Sequence, residues 1–250
     1  MPLSGTLDIT PMLADAPRMS GTDAEPWEIA GVELLHLTFE IDDATMLANI
    51  PPALHPTLPP VVYVSVARYP DSPVGAFTLA QVRAGCRAAV LPRGFLLRAY
   101  SDSQAACDAL GERWGFDCRL ANVGLRRFHD QIEGTVRLDG RDVLRAVLHN
   151  PEPISGGDVQ YVANINLARL PDDAGKGSLV QVDPEYAFHR AERGRPDIAT
   201  FDRGAWNAAG VTPVHPVSGT FVLVDSGFPR IRFVLDPALP AVAGTRRVSG

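Results

Sequence analysis

Short runs of alternating apolar and polar residues dominate the chain. Residues 32–41 alternate imperfectly but read as a strand, and the β-branched, aromatic run 61–69 predicts another. Residues 81–87 and 94–100 predict paired strands around Leu91-Pro92-Arg93. A strand series follows over 123–129, 131–138 and 143–148, with Asp139-Gly140 as the strongest hairpin signal. Further strands are expected over 161–167, 178–190, 219–224 and 230–235, while 191–208 is interrupted by Pro and Gly. Helical signals are few. Asp42 or Asp43 caps a short helix through Met46 and Leu47 that stops at Pro51-Pro52. Ala106, Leu110 and Trp114 recur at a spacing of four and so share one helical face, with Ser103 as N-cap and Gly115 as the stop.

Many short strands, few helices and no dividing linker predict one β-rich domain over 31–237. Residues 1–30 form an extended lead-in, and 238–250 a frayed tail. A net charge of −6 without a basic stripe argues against a nucleic-acid partner. No apolar run reaches the roughly 20 residues of a membrane span, and residues 1–30 lack a secretory pattern. Three scattered cysteines, Cys86, Cys107 and Cys118, fit a reducing cytoplasm. The histidines show no metal-ligand spacing, and no phosphate-binding glycine motif or nucleophile elbow is present, so neither metal nor cofactor is expected.

The stretch Glu112-Arg113-Trp114-Gly115-Phe116-Asp117-Cys118-Arg119-Leu120-Ala121 resembles a segment of the acetoacetate decarboxylase superfamily, G-R-E-x-W-G-[FY]-P-K-K-x-A. Glu112, Trp114, Gly115, Phe116 and Ala121 fall on matching places. Pro51-Pro52-Ala53-Leu54-His55-Pro56 is similar to the family's P-x-x-L-x-P, and Tyr100-Ser101-Asp102 to its Y-x-D. Residues 75–80 resemble its G-x-Y-x-E-A, and 166–171 its N-L-K-x-x-P. The resemblance implies a single-domain, cone-shaped antiparallel β-barrel of the β-rich (α+β) class with a few short helices and an apolar cavity. It also implies a homo-oligomer, because relatives assemble.

The chemistry implied by the family does not carry over. Its first lysine forms an imine with a ketone and its second lowers the pKa of the first; here Cys118 and Arg119 stand in those places. Cysteine cannot form an iminium, and arginine stays protonated. Leu79 replaces a glutamate, Phe77 a tyrosine and Ala168 a further lysine, and no cation stands in Ala30-Gly31-Val32, where relatives carry an arginine before the strand. The chain has 22 arginines and one lysine, Lys176, in a Gly-rich turn that reads as exposed.

The catalytic candidates are therefore Arg119, Glu112, Cys118 and Asp117. Arg119 and Asp117 could pair with each other or hold a ligand oxygen. Glu112 is a candidate acid or base, or a brace for the helix end. Cys118 is a candidate nucleophile with His129 or His36 as base, or a small apolar filler. Phe77, Leu79, Trp114, Phe116, Tyr63 and Asn166 are the candidate substrate-binding positions. The expected ligand is a small hydrophobic molecule, bound in the cytoplasm. The expected activity is that of a cofactor-free cyclase, isomerase or lyase of bacterial secondary metabolism, acting on a polyketide-like intermediate without an imine. A non-catalytic binding relic and a decarboxylase of non-imine mechanism stand as alternatives.

Overall fold

The computed structural model describes residues 3–88 and 91–248. Its elements run, in chain order, α1 (Thr10–Leu13), β1 (Trp27–Glu40), α2 (Asp43–Ala48), β2 (His55–Pro56), β3 (Val61–Tyr69), β4 (Phe77–Arg87), β5 (Pro92–Ser101) and α3 (Gln104–Trp114). They continue with β6 (Cys118–Leu120), β7 (Asn122–Arg127), β8 (Gln131–Leu138), β9 (Arg141–Ile154), β10 (Ala163–Ala168), β11 (Ser178–Val182), β12 (Glu185–Phe201), β13 (His215–Phe228), β14 (Phe233–Leu235), α4 (Ala241–Gly244) and β15 (Thr245–Arg247).

Local chemistry sets the punctuation. Asp42 accepts from Thr45 N–H and caps α2. Ser103 accepts from Ala106 N–H and caps α3. Gly115 ends α3 at φ +70°, where a Cβ would lie 2.7 Å from the Ala168 side chain, so both backbone and packing demand glycine there. Asp139 and Gly140 both take positive φ and turn β8 into β9.

The strands form one sheet in the order β15-β14-β11-β10-β5-β4-β3-β1-β13-β12-β9-β8-β7, with β2 on β4 and β6 on β5. Four sequence-based expectations change. The sheet is rolled, but no ladder joins its two edges among the described residues, so "barrel" describes its curvature and not a hydrogen-bonded closure. It is also not wholly antiparallel, since β10 and β6 both run parallel to β5. Residues 191–201 continue β12 through Gly194 and Pro196, because bulges absorb the irregular positions. The expected frayed tail holds α4 and β15, the latter paired to β14.

The two faces of the central strands differ. One face carries Leu35, Leu37 and Phe39 of β1, Val62, Val64 and Val66 of β3, and Ala80, Val82 and Ala84 of β4. It packs against Ile132, Val136, Leu144 and Leu148 of β8 and β9 in an apolar core. The other face carries the aromatic cluster of Trp27, Tyr69, Phe77, Trp114, Phe116 and Phe228, and beside it a row of buried polar groups.

Candidate functional site

The helix-end motif splits by direction. Trp114 and Phe116 turn inward: Trp114 is fully buried and its Nε1 donates to the Pro229 carbonyl at 2.7 Å. Its ring lies 5.0 Å from both Trp27 and Phe228. Phe77 stacks on Tyr69 at 4.5 Å, and Leu79 is fully buried in the same cluster. These candidate substrate contacts thus act first as packing.

The polar half of the motif divides, with Asp117 and Cys118 half-buried. Glu112 and Arg119 are exposed, and Arg119 pairs with Asp15 at 3.1 Å. Asp117 pairs with Arg98 at 3.0 Å and lies 3.8 Å from Arg119. Burial raises the Asp117 pKa, and the Arg98 guanidinium acts against that rise. Cys118 Sγ lies 3.1 Å from Cys107 Sγ, so its neighbour is a second thiol, while His129 is exposed in the β7–β8 turn. Cys107, Asp117 and Cys118 border an open cleft of about 580 Å³ between α3 and the lead-in. Lys176 is exposed in a turn, as its sequence context predicts.

A second assembly sits on the inner polar row. His36 of β1 lies opposite Ser65 of β3, Ser65 opposite Gln81 of β4, and Tyr63 opposite Arg83. Arg83 is 5% exposed. Its Nη1 donates to the Val162 carbonyl and to Asn164 Oδ1, both at 2.7 Å. Its Nη2 donates to Ser65 Oγ at 3.2 Å and more weakly to His36 Nδ1 at 3.4 Å. To reach β10 the side chain lies across β5 at Gly94, where a Cβ would stand 2.7 Å from Arg83 Cβ. Asn164 Nδ2 donates to Gln81 Oε1 at 2.7 Å, and Asn166 Nδ2 donates to the Trp114 carbonyl at 2.9 Å.

The electrostatics of this cluster are unusual within the molecule. Among the described residues, three arginines are almost fully buried: Arg83, Arg93 and Arg98. Arg93 pairs with Asp183 and Arg98 with Asp117. Among the described residues, none of the partners of Arg83 is a carboxylate, and its Nε has no partner. Burial lowers its pKa, yet a guanidinium stays protonated, so a cation is held without a counter-ion. Burial, then the Arg83 charge, push His36 down to about 3; the ring is neutral and its Nδ1 accepts. Burial pushes the Tyr63 and Tyr186 hydroxyls up to about 12 and raises Tyr161 as well. All three remain neutral hydrogen-bond donors. The Tyr161 hydroxyl is buried and unpartnered among the described residues.

An aromatic stack covers the cluster. Tyr161 lies 6.0 Å from His36 and 4.3 Å from Tyr186. Tyr186 in turn lines a surface groove of about 1220 Å³, together with Trp27, Ile29, Ser226 and Phe228. Of the candidate binding residues, the structure brings Tyr63 and Asn166 to this cluster. Arg83, Gln81, Asn164, Tyr161 and Tyr186 are absent from the sequence-derived candidates, and His36 stands among them only as a possible base for Cys118, whereas the structure places it against Arg83. A signal did exist, in the alternate polar positions Gln81/Arg83 and Asn164/Asn166 inside apolar strands. Among the described residues, no three or more His, Cys, Asp or Glu side chains converge as a metal site would need, and no helix is long and apolar enough to cross a membrane.

The family model described as acetoacetate decarboxylase matches residues 10–234. No curated protein sequence matches the chain. Among solved structures, it is similar to an acetoacetate decarboxylase from Legionella pneumophila subsp. pneumophila str. Philadelphia 1, with 22% identity and a TM-score of 0.74 over 86% of this chain and 90% of that one. It is similar to the enduracididine biosynthesis enzyme MppR complexed with pyruvate, with 15% identity and a TM-score of 0.69 over 93% and 98%. An acetoacetate decarboxylase-like enzyme from Sphingomonas wittichii RW1 aligns at 17% identity and a TM-score of 0.62 over 90% and 92%.

Proposed function

The chain belongs to the acetoacetate decarboxylase family, and we propose that it is a cofactor-free enzyme of bacterial secondary metabolism that works without an imine. Its substrate is a hydrophobic, polyketide-like carbonyl compound, which it holds non-covalently while promoting cyclisation, isomerisation or elimination. The observation that carries this reading is the buried Arg83 cation with no carboxylate among its partners.

A desolvated cation flanked by neutral hydroxyl donors favours any step in which negative charge develops on a substrate oxygen. Tyr63, Tyr161 and Tyr186 provide such donors. The cluster supplies no strong base, since His36 is held neutral with its pKa near 3. That combination suits reactions in which the substrate generates its own enolate or enol, and the protein lowers the energy of the charge. Tyr69, Phe77 and the groove beyond Tyr186 give an apolar wall. Support for a secondary-metabolic setting comes from MppR, an enduracididine biosynthesis enzyme that binds pyruvate.

The same cation favours one second reading, decarboxylation of a β-keto acid without an imine. There the carboxylate leaves as carbon dioxide and its electron pair becomes the enolate that Arg83 stabilises.

Calorimetry with oxalate, a planar enolate mimic, and with pyruvate and acetoacetate tests the site. Oxalate is expected to bind, and Arg83→Met to weaken it by about 10²-fold. Arg83→Lys, which keeps the charge but loses the fork, should fall between the two. Borohydride added with either keto acid should trap no adduct. Undiminished oxalate binding in folded Arg83→Met, or a reduced adduct at Lys176, would overturn the reading.

A further inference from the structure

Two of the three cysteines meet at the position where the family's amine pair is missing. Cys107 stands in the second turn of α3, and Cys118 opens β6. Their sulfurs are 3.1 Å apart, about 1 Å more than a disulfide bond. Eleven residues separate them, yet the fold returns β6 against α3 because β6 must run beside β5. Gly115 makes that return possible by reversing the chain at φ +70°.

Both thiols border the cleft of about 580 Å³, so a small oxidant can reach the pair. Cys118 is half-buried and Cys107 is buried behind it. Either sulfur can donate across this contact; donation from Cys118 lowers the Cys107 pKa and raises that of Cys118, so Cys107 is the thiol that ionises more readily. A thiolate beside a thiol is what peroxide oxidation needs. Cys86 is a built-in control: it is fully buried in the apolar core, and burial pushes its thiol up to about 12.

We infer that Cys107 and Cys118 form a redox-active pair that closes to a reversible disulfide when it meets a peroxide. The first step transfers two electrons from one thiolate to hydrogen peroxide, giving a sulfenic acid and hydroxide. The second sulfur then attacks the sulfenic sulfur, the S–S bond forms, and water leaves with the remaining proton. In sum, two thiols and one peroxide give one disulfide and two waters. A thiol reductant reverses it by exchange. The inference does not rest on the Arg83 reading, and the failure of either leaves the other standing.

Intact mass spectrometry of the full chain after stoichiometric hydrogen peroxide, with denaturing maleimide labelling, tests it. The mass should fall by two hydrogens, the maleimide count should drop from three to one, and dithiothreitol should restore it. Trypsin without reductant should release residues 99–113 joined to 114–119, and Cys86→Ser should leave that linkage unchanged. Cys118→Ser should instead gain oxygen at Cys107 and form no linkage. Three labelled thiols after peroxide, or added oxygen without cross-linked peptides in the unaltered chain, would overturn the inference.

Discussion

Two arginine-centred regions of this protein invite comparison. Arg119 stands in the family motif at the end of α3, is exposed, and pairs with Asp15. Arg83 stands in β4, outside the motif, is 5% exposed, and has only neutral partners among the described residues. A charge at the surface is screened by water and contributes little to binding. The same charge held away from water, with its hydrogen bonds already aimed, acts strongly on an incoming anion. The contrast teaches that a motif's position and its chemistry separate in a diverged family member. The apolar half of the motif still builds the frame, and the polar half has moved to structural and surface contacts.

The two regions touch at Trp114, and the largest expected effect lies there. Trp114→Ala should cost about 3–5 kcal/mol of stability, because it leaves a cavity among Trp27, Phe228 and Phe116. It should also loosen the Asn166 contact with the Trp114 carbonyl. Chemical denaturation measures the first effect. A cost below about 1 kcal/mol would mean that the helix end is not the shared frame of the two regions.

An intermediate effect belongs to His36. Its pKa is about 3 in the fold against 6.5 for the ordinary group. The unfolded chain therefore binds the extra proton between those values, so the neutral ring stabilises the fold fully above pH 6.5. That contribution is lost as pH falls toward 3, at about 1.4 kcal/mol per pH unit. Denaturation curves taken from pH 7 to pH 4 should show this slope, and His36→Gln should flatten it. Superimposable pH dependences would show that His36 is not the buried neutral acceptor of Arg83.

The smallest effect is expected for Arg119→Ala. Its partner Asp15 is itself exposed, so stability and oxalate affinity should each change by less than about 1 kcal/mol. A loss as large as that of Arg83→Met would return the chemistry to the motif and erase the distinction between the two regions.

Much of the architecture follows from local pattern. The strand 61–69, the caps Asp42 and Ser103, the stop at Gly115 and the Asp139-Gly140 turn all coincide with the structure. Each depends on residues within a few positions of one another. Strand ends were less legible. Glu185–Phe201 runs through a glycine and a proline that read as breaks, because pairing with β9 and β13 outweighs local propensity.

The sequence by itself determined that this chain is a β-rich member of its family with a single lysine, placed in a turn, and that an imine has no amine at the motif to form on. Only the tertiary structure decided where the polar groups meet. Arg83 finds Ser65, His36 and Asn164 at separations of 18, 47 and 81 residues, and Cys107 finds Cys118 through the turn at Gly115. Alternation assigns a residue to one face of its own strand, but strand order and register choose which other residues share that face, and those are settled by long-range packing.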